Sequence, residues 1–548
     1  MKMRIGYITR FLVILSAAFQ CGCAAVTSQP PSQYDVVVYG GTSGGIIAAV
    51  QAARMGKSVI LIEQGRHLGG LTTGGLGATD IGNKAAIGGM AKDFYHRVYL
   101  HYTKDDSWVY QQRQQYEGGK KWDAEKTWWM FEPHVAEAIF DDMIRQAKVP
   151  VLYGQRLDMK EDVRKEGSRI TAIITESGRL FTAKMFIDAT YEGDLMALAG
   201  VSYTVGRESN TTYNETLNGV QTENARYHQF EKPVDPYLEP GDEASGLLPG
   251  IHSGGPGKEG QGDRRVQAYN YRMCLTDVPE NRIPFPKPKN YNELRYELLL
   301  RYYEAGYDKL PWLPNMMPNR KTDTNNRHGF STDNIGANYD YPDGNYATRE
   351  RIIGDHISYQ QGLMWTLANH PRIPEKIRSQ ISRWGLAKDE FVDNNNWPRQ
   401  LYVREARRMV SDYVMTEQNC RGSLIAPDSV GLGAYGMDSH NTQRYVDENG
   451  CSRNEGDIQV HGFPPYPVSY RSIIPKAEQC SNLLVPVCLS ASHIGFGSIR
   501  MEPVFMILGQ SAATAACLAI DNNVSVQQLD YQKLRNHLLR DSQILKWE

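Results

Sequence analysis

Tyr34-Asp-Val-Val-Val-Tyr-Gly-Gly-Thr-Ser-Gly-Gly-Ile-Ile-Ala-Ala-Val-Gln-Ala-Ala-Arg-Met-Gly-Lys-Ser-Val-Ile-Leu-Ile-Glu63 reads as a strand, a glycine-packed turn, a helix and a second strand that ends in an acid. Val36 to Tyr39 form the short apolar run of a strand buried on both faces. Gly40, Gly41, Gly44 and Gly45 let the backbone turn tightly and approach a pyrophosphate. Thr42 and Ser43 lie between them, Thr42 at a position that is glycine in G-x-G-x-x-G. Ala48, Ala49, Ala52 and Ala53 let the helix pack on the sheet, and its N-terminus offers free N–H groups and a positive dipole end to phosphates. Glu63, followed by Gln64, stands where an acid accepts hydrogen bonds from ribose hydroxyls. The expected unit is therefore a dinucleotide-binding βαβ, within a Rossmann-like α/β domain.

A chain of 548 residues can bury a large core and is expected to split into two domains. Its formal net charge of −2 gives no electrostatic case for nucleic acid as a partner. Lys2, Arg4 and Arg10 precede the apolar Phe11–Phe19, a stretch too short to span a bilayer, so residues 1–22 read as an export signal. Their loss would take the net charge from −2 to −5. Cys23, after Gly22, or Cys21 is the candidate lipidation site of a periplasmic or outer-membrane lipoprotein, and plain signal-peptidase cleavage is the alternative. A lipid anchor would then be the sole membrane contact. No twin-arginine pair precedes the apolar stretch, so export of the unfolded chain is expected. Cys274, Cys420, Cys451, Cys480, Cys488 and Cys517 form no C-x-x-C pair. No histidine–carboxylate cluster has metal-ligand spacing, so no metal is expected.

The glycine-rich Gly65–Asp80, which contains Gly69 and Gly70, suggests backbone lying against a bulky planar cofactor. A helix is expected from Glu132–Pro133 to Ala147. Val151–Tyr153, Ile170–Thr175 and Arg179–Ala183 read as small antiparallel strands, with Ser177–Gly178 as a turn. Met185–Thr190 reads as a further strand, which carries Asp188 and Ala189. From about Gly206 to Tyr466 the texture changes, with helices expected over Tyr291–Ala305 and Leu401–Gln418. The regular pattern returns with a strand over Asn482–Cys488, a loop, an apolar helix over Pro503–Ile520 and a last helix over Ser525–Leu539. The expected organisation is a first segment of the nucleotide domain over 34–205, an inserted α+β substrate or cap domain over 206–465, and a second segment over 466–548.

NAD domains need no terminal segment to complete them. In two-domain flavoproteins of the glutathione-reductase and fumarate-reductase kind, by contrast, a late strand–loop–helix returns to the cofactor. There the helix dipole stabilises negative charge on reduced flavin. The chain resembles a bacterial FAD-dependent oxidoreductase family whose exported members are common in polysaccharide-degrading bacteria. The resemblance rests on YGGTSGGIIAA (39–49), GRHLGGLTTGGLG (65–77), FEPHVAE (131–137), FIDATYEGDLMALAGV (186–201), LYVREARRMVSDYVMTE (401–417), GMDSHNTQRYV (436–446), PYPVSYRSIIPK (465–476) and LLVPVCLSASHIGFGSIRMEPVFMILGQSAATAA (483–516). It implies FAD as cofactor and accounts for Thr42. It also implies that Gly69, Gly70, Asp188, Ala189, Met501 and Glu502 join the cofactor site, while substrate and electron acceptor stay unassigned.

Flavin-dependent oxidation of a hydroxyl needs a base that titrates near working pH, which points to histidine. His493 is the first candidate, because it lies on the loop before the flavin-facing helix. With Arg500 it resembles the His…Arg pair that precedes that helix in fumarate reductases. His440, with Asp438 nearby, is the second, and His461 the third. Tyr470, a further catalytic candidate, follows a Pro-rich loop, and Arg471 could hold an anionic group. Arg404, Arg407 and Arg408 are expected to share a helix with Glu405 and Glu417, mostly as structural ion pairs. His134, in a helix's first turn, reads as structural. The leading function is an exported FAD oxidoreductase acting on a small polar, sugar-derived molecule. A flavin-dependent dehydratase or isomerase and a non-catalytic carbohydrate-binding lipoprotein are the alternatives.

Overall fold

β1 (Ser32–Tyr39) takes the centre of a mostly parallel sheet because its second half is apolar on both faces: Val36, Val37, Val38 and Tyr39 are fully buried. The computed structural model describes residues 32–116, 125–160 and 163–548, and the expected signal segment 1–22 lies outside the described residues. β1 pairs in parallel with β2 (Val59–Ile62) on one side, Val36 opposite Val59. On the other side it pairs with β6 (Leu180–Asp188), Tyr39 opposite Asp188. With β3 (Val151–Leu152), β4 (Arg164–Glu166) and β5 (Arg169–Ile174), the order is β3-β2-β1-β6-β5-β4. The late strand Leu483–Leu484 also joins β6 in parallel. The sheet is therefore completed from the far end of the chain.

One face of the sheet carries α1 (Ser43–Arg54) and, crossing it, the late helix Glu502–Asn522. Their closest approach is glycine against glycine. A Cβ on Gly509 would run into the Gly44 carbonyl, and one on Gly44 would meet the Phe505 carbonyl oxygen at 2.8 Å. The missing Cβ of Gly44 therefore serves helix packing. The late helix is apolar along its length, and almost all of it is buried inside the protein. α2 (Gly89–Tyr102) and α3 (Pro133–Ala147) complete this layer.

Residues 206–465 supply a second, antiparallel sheet. Its order is Trp312–Met317, Lys321–Asn326, Met273–Thr276, Gly385–Ala387, Arg282–Ile283. The helix Tyr346–Asn369 also belongs to this region. This 24-residue helix has no counterpart among the expected elements. Its buried positions include Arg349, His356, Gln360 and Thr366 beside Leu363 and Leu367, which blurs any apolar stripe.

The expected helix over Leu401–Gln418 is not formed. Residues 401–416 run as an extended strap, with Tyr402 N–H donating to Asn270 O and Arg408 opposite Thr204, and only Glu417–Cys420 is helical. The charged side chains of the strap each reach a different distant partner, and these tertiary bonds override local propensity. Smaller corrections concern strands. Val151–Leu152 is a parallel edge strand, not part of an antiparallel set, since Leu61 lies opposite Val151. The two runs expected at 179–183 and 185–190 form one nine-residue strand, and in 482–488 only Leu483–Leu484 pairs.

Candidate functional site

Where β1, β2 and β6 end, a cavity of about 270 Å³ opens beside Gly40, Thr42, Glu63, Gln64, Gly70 and Thr190. Gly40 has φ +102°, and a Cβ there would meet Ala189 C and Thr190 N at 2.8 Å. A Cβ on Gly45 would strike the Gly40 carbonyl, so the turn closes only on glycine. Thr42 caps α1: its hydroxyl accepts from Gly45 N–H at 3.2 Å and donates to Ala189 O at 2.7 Å. The N–H groups of Ser43 and Gly44 in this first turn remain available to an anion. Gly41 O accepts from Gly69 N–H at 2.7 Å, which ties the second glycine loop to the first. The glycine cradle, the free amides and the acid at the end of β2 fit the adenosine and pyrophosphate of a dinucleotide.

Glu63 accepts from Gly41 N–H at 2.6 Å and from Gly65 N–H. Burial pushes its carboxyl up to about 7, against the pull of those two N–H groups. Asp188 and Ala189 support the cradle from behind. The Asp188 carboxylate accepts from Thr190 N–H and hydroxyl and from Met196 N–H, at 2.7–3.1 Å. Its charge is turned into its own loop, which corrects its placement as a cofactor contact. Met501, buried, caps the late helix.

Glu502, the first residue of that helix, is the junction of the site. One of its carboxylate oxygens accepts from Ser43 Oγ at 2.6 Å and Thr72 Oγ1 at 2.7 Å, and the other from Tyr191 OH at 2.9 Å. The Tyr191 hydroxyl accepts in turn from Leu71 N–H. Burial raises the Glu502 carboxyl, while the three hydroxyls oppose it. One side chain thus pins the phosphate turn, the second glycine loop and the end of β6 to the late helix.

In the 206–465 region lies a buried charged cluster centred on Tyr402, joined by Arg500. The guanidinium carbons of Arg404, Arg500 and Arg272 stand 4.6, 5.8 and 5.9 Å from its ring. Arg500 donates to Tyr402 OH at 3.1 Å and to Asp438 Oδ2 at 3.0 Å. Arg272 pairs with Asp323 at 2.6 Å, and Arg404 with Asp333 at 3.1 Å. The Nε atoms of Arg404 and Arg500 are buried without a partner. Asp333 Oδ2 also lies 2.8 Å from Nδ1 of His440. Nε2 of His440 faces Asp438 at 3.7 Å, outside hydrogen-bond range. Burial and the nearby Arg404 hold the His440 imidazole below its ordinary range, with Asp333 and Asp438 pulling the other way. The result is an oriented histidine with one ring nitrogen free, beside guanidinium groups.

His493 is differently placed. Nδ1 lies 2.7 Å from Glu405 and Nε2 lies 3.0 Å from Ser439 Oγ, and the ring is buried. Burial would raise Glu405, but His493 and Arg408 bring it down to about 2. Both ring nitrogens of His493 are committed, so it positions the strap. Tyr470 is also corrected: its buried hydroxyl donates to Val526 O at 2.8 Å and holds the C-terminal segment. Arg471 pairs with Asp428 at 3.1 Å, and His461 is an exposed ring edge-on to Tyr435. His134 lies 2.7 Å from Glu390. Glu132, His134 and Glu390 bring three donor groups together, yet Lys321 Nζ sits 2.8 Å from Glu132 and 2.7 Å from Glu390 and itself supplies the positive charge. Tyr402, Asp333 and Arg272 are site members that sequence reasoning missed. Tyr402 and Arg404 stood in a quoted motif, but nothing local pairs Asp333 with His440.

The FAD dependent oxidoreductase family matches residues 35–538. A vinyl phenol reductase of Lactiplantibacillus plantarum is 31% identical over 132 residues, 20% of this chain and 27% of that protein. The dihydrolipoyl dehydrogenase of Manduca sexta is 35% identical over 99 residues, 17% of this chain and 20% of that protein. The chain thus spans 27% or less of the length of these curated relatives. Among solved structures, the L-amino acid deaminase of Proteus vulgaris aligns at TM-score 0.24 and 16% identity, covering 32% of this chain and 52% of that one. A flavocytochrome c3 fumarate reductase aligns at TM-score 0.21 and 13% identity, over 33% and 44%. Scores this low say nothing of substrate. The match over residues 35–538 decides the matter: the chain belongs to the FAD dependent oxidoreductase family.

Proposed function

We propose that this is an exported oxidoreductase that removes hydride from a hydroxyl-bearing carbon of a small polar, sugar-derived substrate. The observation that carries the reading is the Asp333–His440 pair, with Nε2 of His440 facing Asp438 at 3.7 Å and Asp438 in turn bound to Arg500. Gly40–Gly45, Glu63 and the loop at Gly69–Gly70 would hold FAD, which when bound accepts the hydride that leaves the substrate carbon. Asp333 fixes the His440 ring, and Nε2 takes the hydroxyl proton. The unpartnered Nε groups of Arg404 and Arg500 would stabilise the oxygen as it gains negative charge. Asp438 holds Arg500 in place.

Export and lipidation at Cys23 or Cys21 belong to the same proposal and are checked by mass spectrometry of the mature N-terminus. The redox reading is tested by anaerobic titration of the FAD-loaded protein with neutral sugars, polyols and sugar acids. Loss of the oxidised-flavin absorption with one of them is expected. Product formation that needs no electron acceptor and leaves the spectrum oxidised at every time point would replace this reading with a dehydratase or isomerase.

A further inference from the structure

A second cavity, of about 620 Å³, lies in the 206–465 region and lacks any acidic lining residue. Its volume is that of a small-molecule site. One wall carries Arg444, 5% exposed and sandwiched between the rings of Phe230 and Phe330 at 5.4 and 5.1 Å. Nε of Arg444 donates to Asn454 Oδ1 and Nη2 to Gly329 O, both at 3.0 Å. Among the described residues no carboxylate pairs with it and Nη1 has no hydrogen-bond partner; Nη1 lies toward Gly250 on the cavity wall. Burial lowers this guanidinium to about 10, against the opposing pull of Tyr359. The other lining arginine, Arg295, is neutralised by Asp355 at 2.6 Å. The cavity therefore holds one uncompensated buried cation, which is costly unless an anion meets it.

The remaining lining suits a polyhydroxylated ring. Gln443, 1% exposed, has an Oε1 with no hydrogen-bond partner. Asn290 uses Oδ1 on Ser358, which leaves its NH2 free. Tyr359 and Phe330 add aromatic surface to the lining, the Tyr359 hydroxyl being tied to Ser331 O. Amides and aromatic faces match the hydroxyls and C–H faces of a sugar.

We infer that this cavity binds a carboxylate-bearing saccharide, with Arg444 receiving the carboxylate and Gln443 and Asn290 the ring hydroxyls. The inference does not rest on the redox reading, since it concerns binding alone.

The test is calorimetric titration of the FAD-loaded full-length protein with a neutral disaccharide, the same disaccharide carrying a uronic carboxylate, and a sulfate ester of it. The uronate form should bind at least roughly tenfold more tightly than the neutral form, as a charge-assisted hydrogen bond provides. Arg444→Gln should erase that preference and Arg444→Lys retain part of it, with flavin content unchanged. Should Arg444→Gln fail to load FAD, Asn292→Asp, a change at an exposed residue of the same cavity lining, should weaken the uronate selectively. Equal binding of neutral and acidic forms, a preference that survives Arg444→Gln, or binding of the sulfate ester alone would overturn the assignment. Tight uronate binding with no flavin reduction would support the cavity while counting against that ligand as the redox substrate.

Discussion

The cofactor cradle and the Tyr402 cluster are built on opposite plans. The cradle is made of backbone: glycines that admit no Cβ, amides left free at a helix start, and a single acid, nearly all within thirty consecutive residues. The cluster is made of side chains from distant parts of the chain. Asp333 reaches His440 across 107 positions, Tyr402 reaches Arg500 across 98, and Glu405 reaches His493 across 88. A backbone-built site tolerates little variation and gains rigidity. A site built from side chains can change its chemistry one substitution at a time, because each member hangs on its own element.

That contrast can be broken most sharply at Gly45. Gly45→Val forces a side chain into the Gly40 carbonyl, so the purified protein should carry no flavin by absorbance while the 206–465 region keeps its protease resistance. Normal FAD content in this variant would mean that the turn is not closed by glycine. The next largest effect is expected at His440. His440→Asn should lower kcat by roughly 10²–10⁴-fold, the usual worth of a general base, with FAD still bound. His493→Asn should instead lower thermal stability more than it lowers kcat. Reversed outcomes would return His493 to the role of base.

The smallest effect is a pH dependence. The Glu63 carboxyl is held at about 7 against an ordinary 4.5. Because it is raised, the native apoprotein keeps a proton that the unfolded chain gives up between those values. Apoprotein stability should therefore fall as pH rises from about 4.5 to about 7. Ribose hydroxyls donate to the ionised form, so FAD affinity should rise as pH rises toward about 7. Equilibrium dialysis between pH 5.5 and 8 checks this, and Glu63→Gln should flatten the curve.

The same contrast explains what the sequence revealed. The βαβ unit was legible because strand, turn, helix and acid follow one another at fixed offsets, and α3 was legible from Pro133. The strap was misread as a helix because Arg404, Glu405, Arg407 and Arg408 look like helix-surface pairs when their partners are invisible. Those partners are Asp333, His493, Asp194 and Glu208. The motif at 436–446 pointed to His440, but its orienting acid lies on another element. The preference for His493 came from its position before the late helix, which says where a residue lies and not whether its ring nitrogens are free.

Glu502 has a consequence for how the protein is made. It bonds to Ser43 across 459 positions and to Thr72 across 430. A chain growing from its N-terminus therefore holds the entire glycine turn long before the clasp that secures it exists. Firm retention of FAD should begin only once Glu502 has arrived. The yellow colour of the holoenzyme then certifies a chain that reaches past Glu502, and fragments that stop short of it would be left colourless.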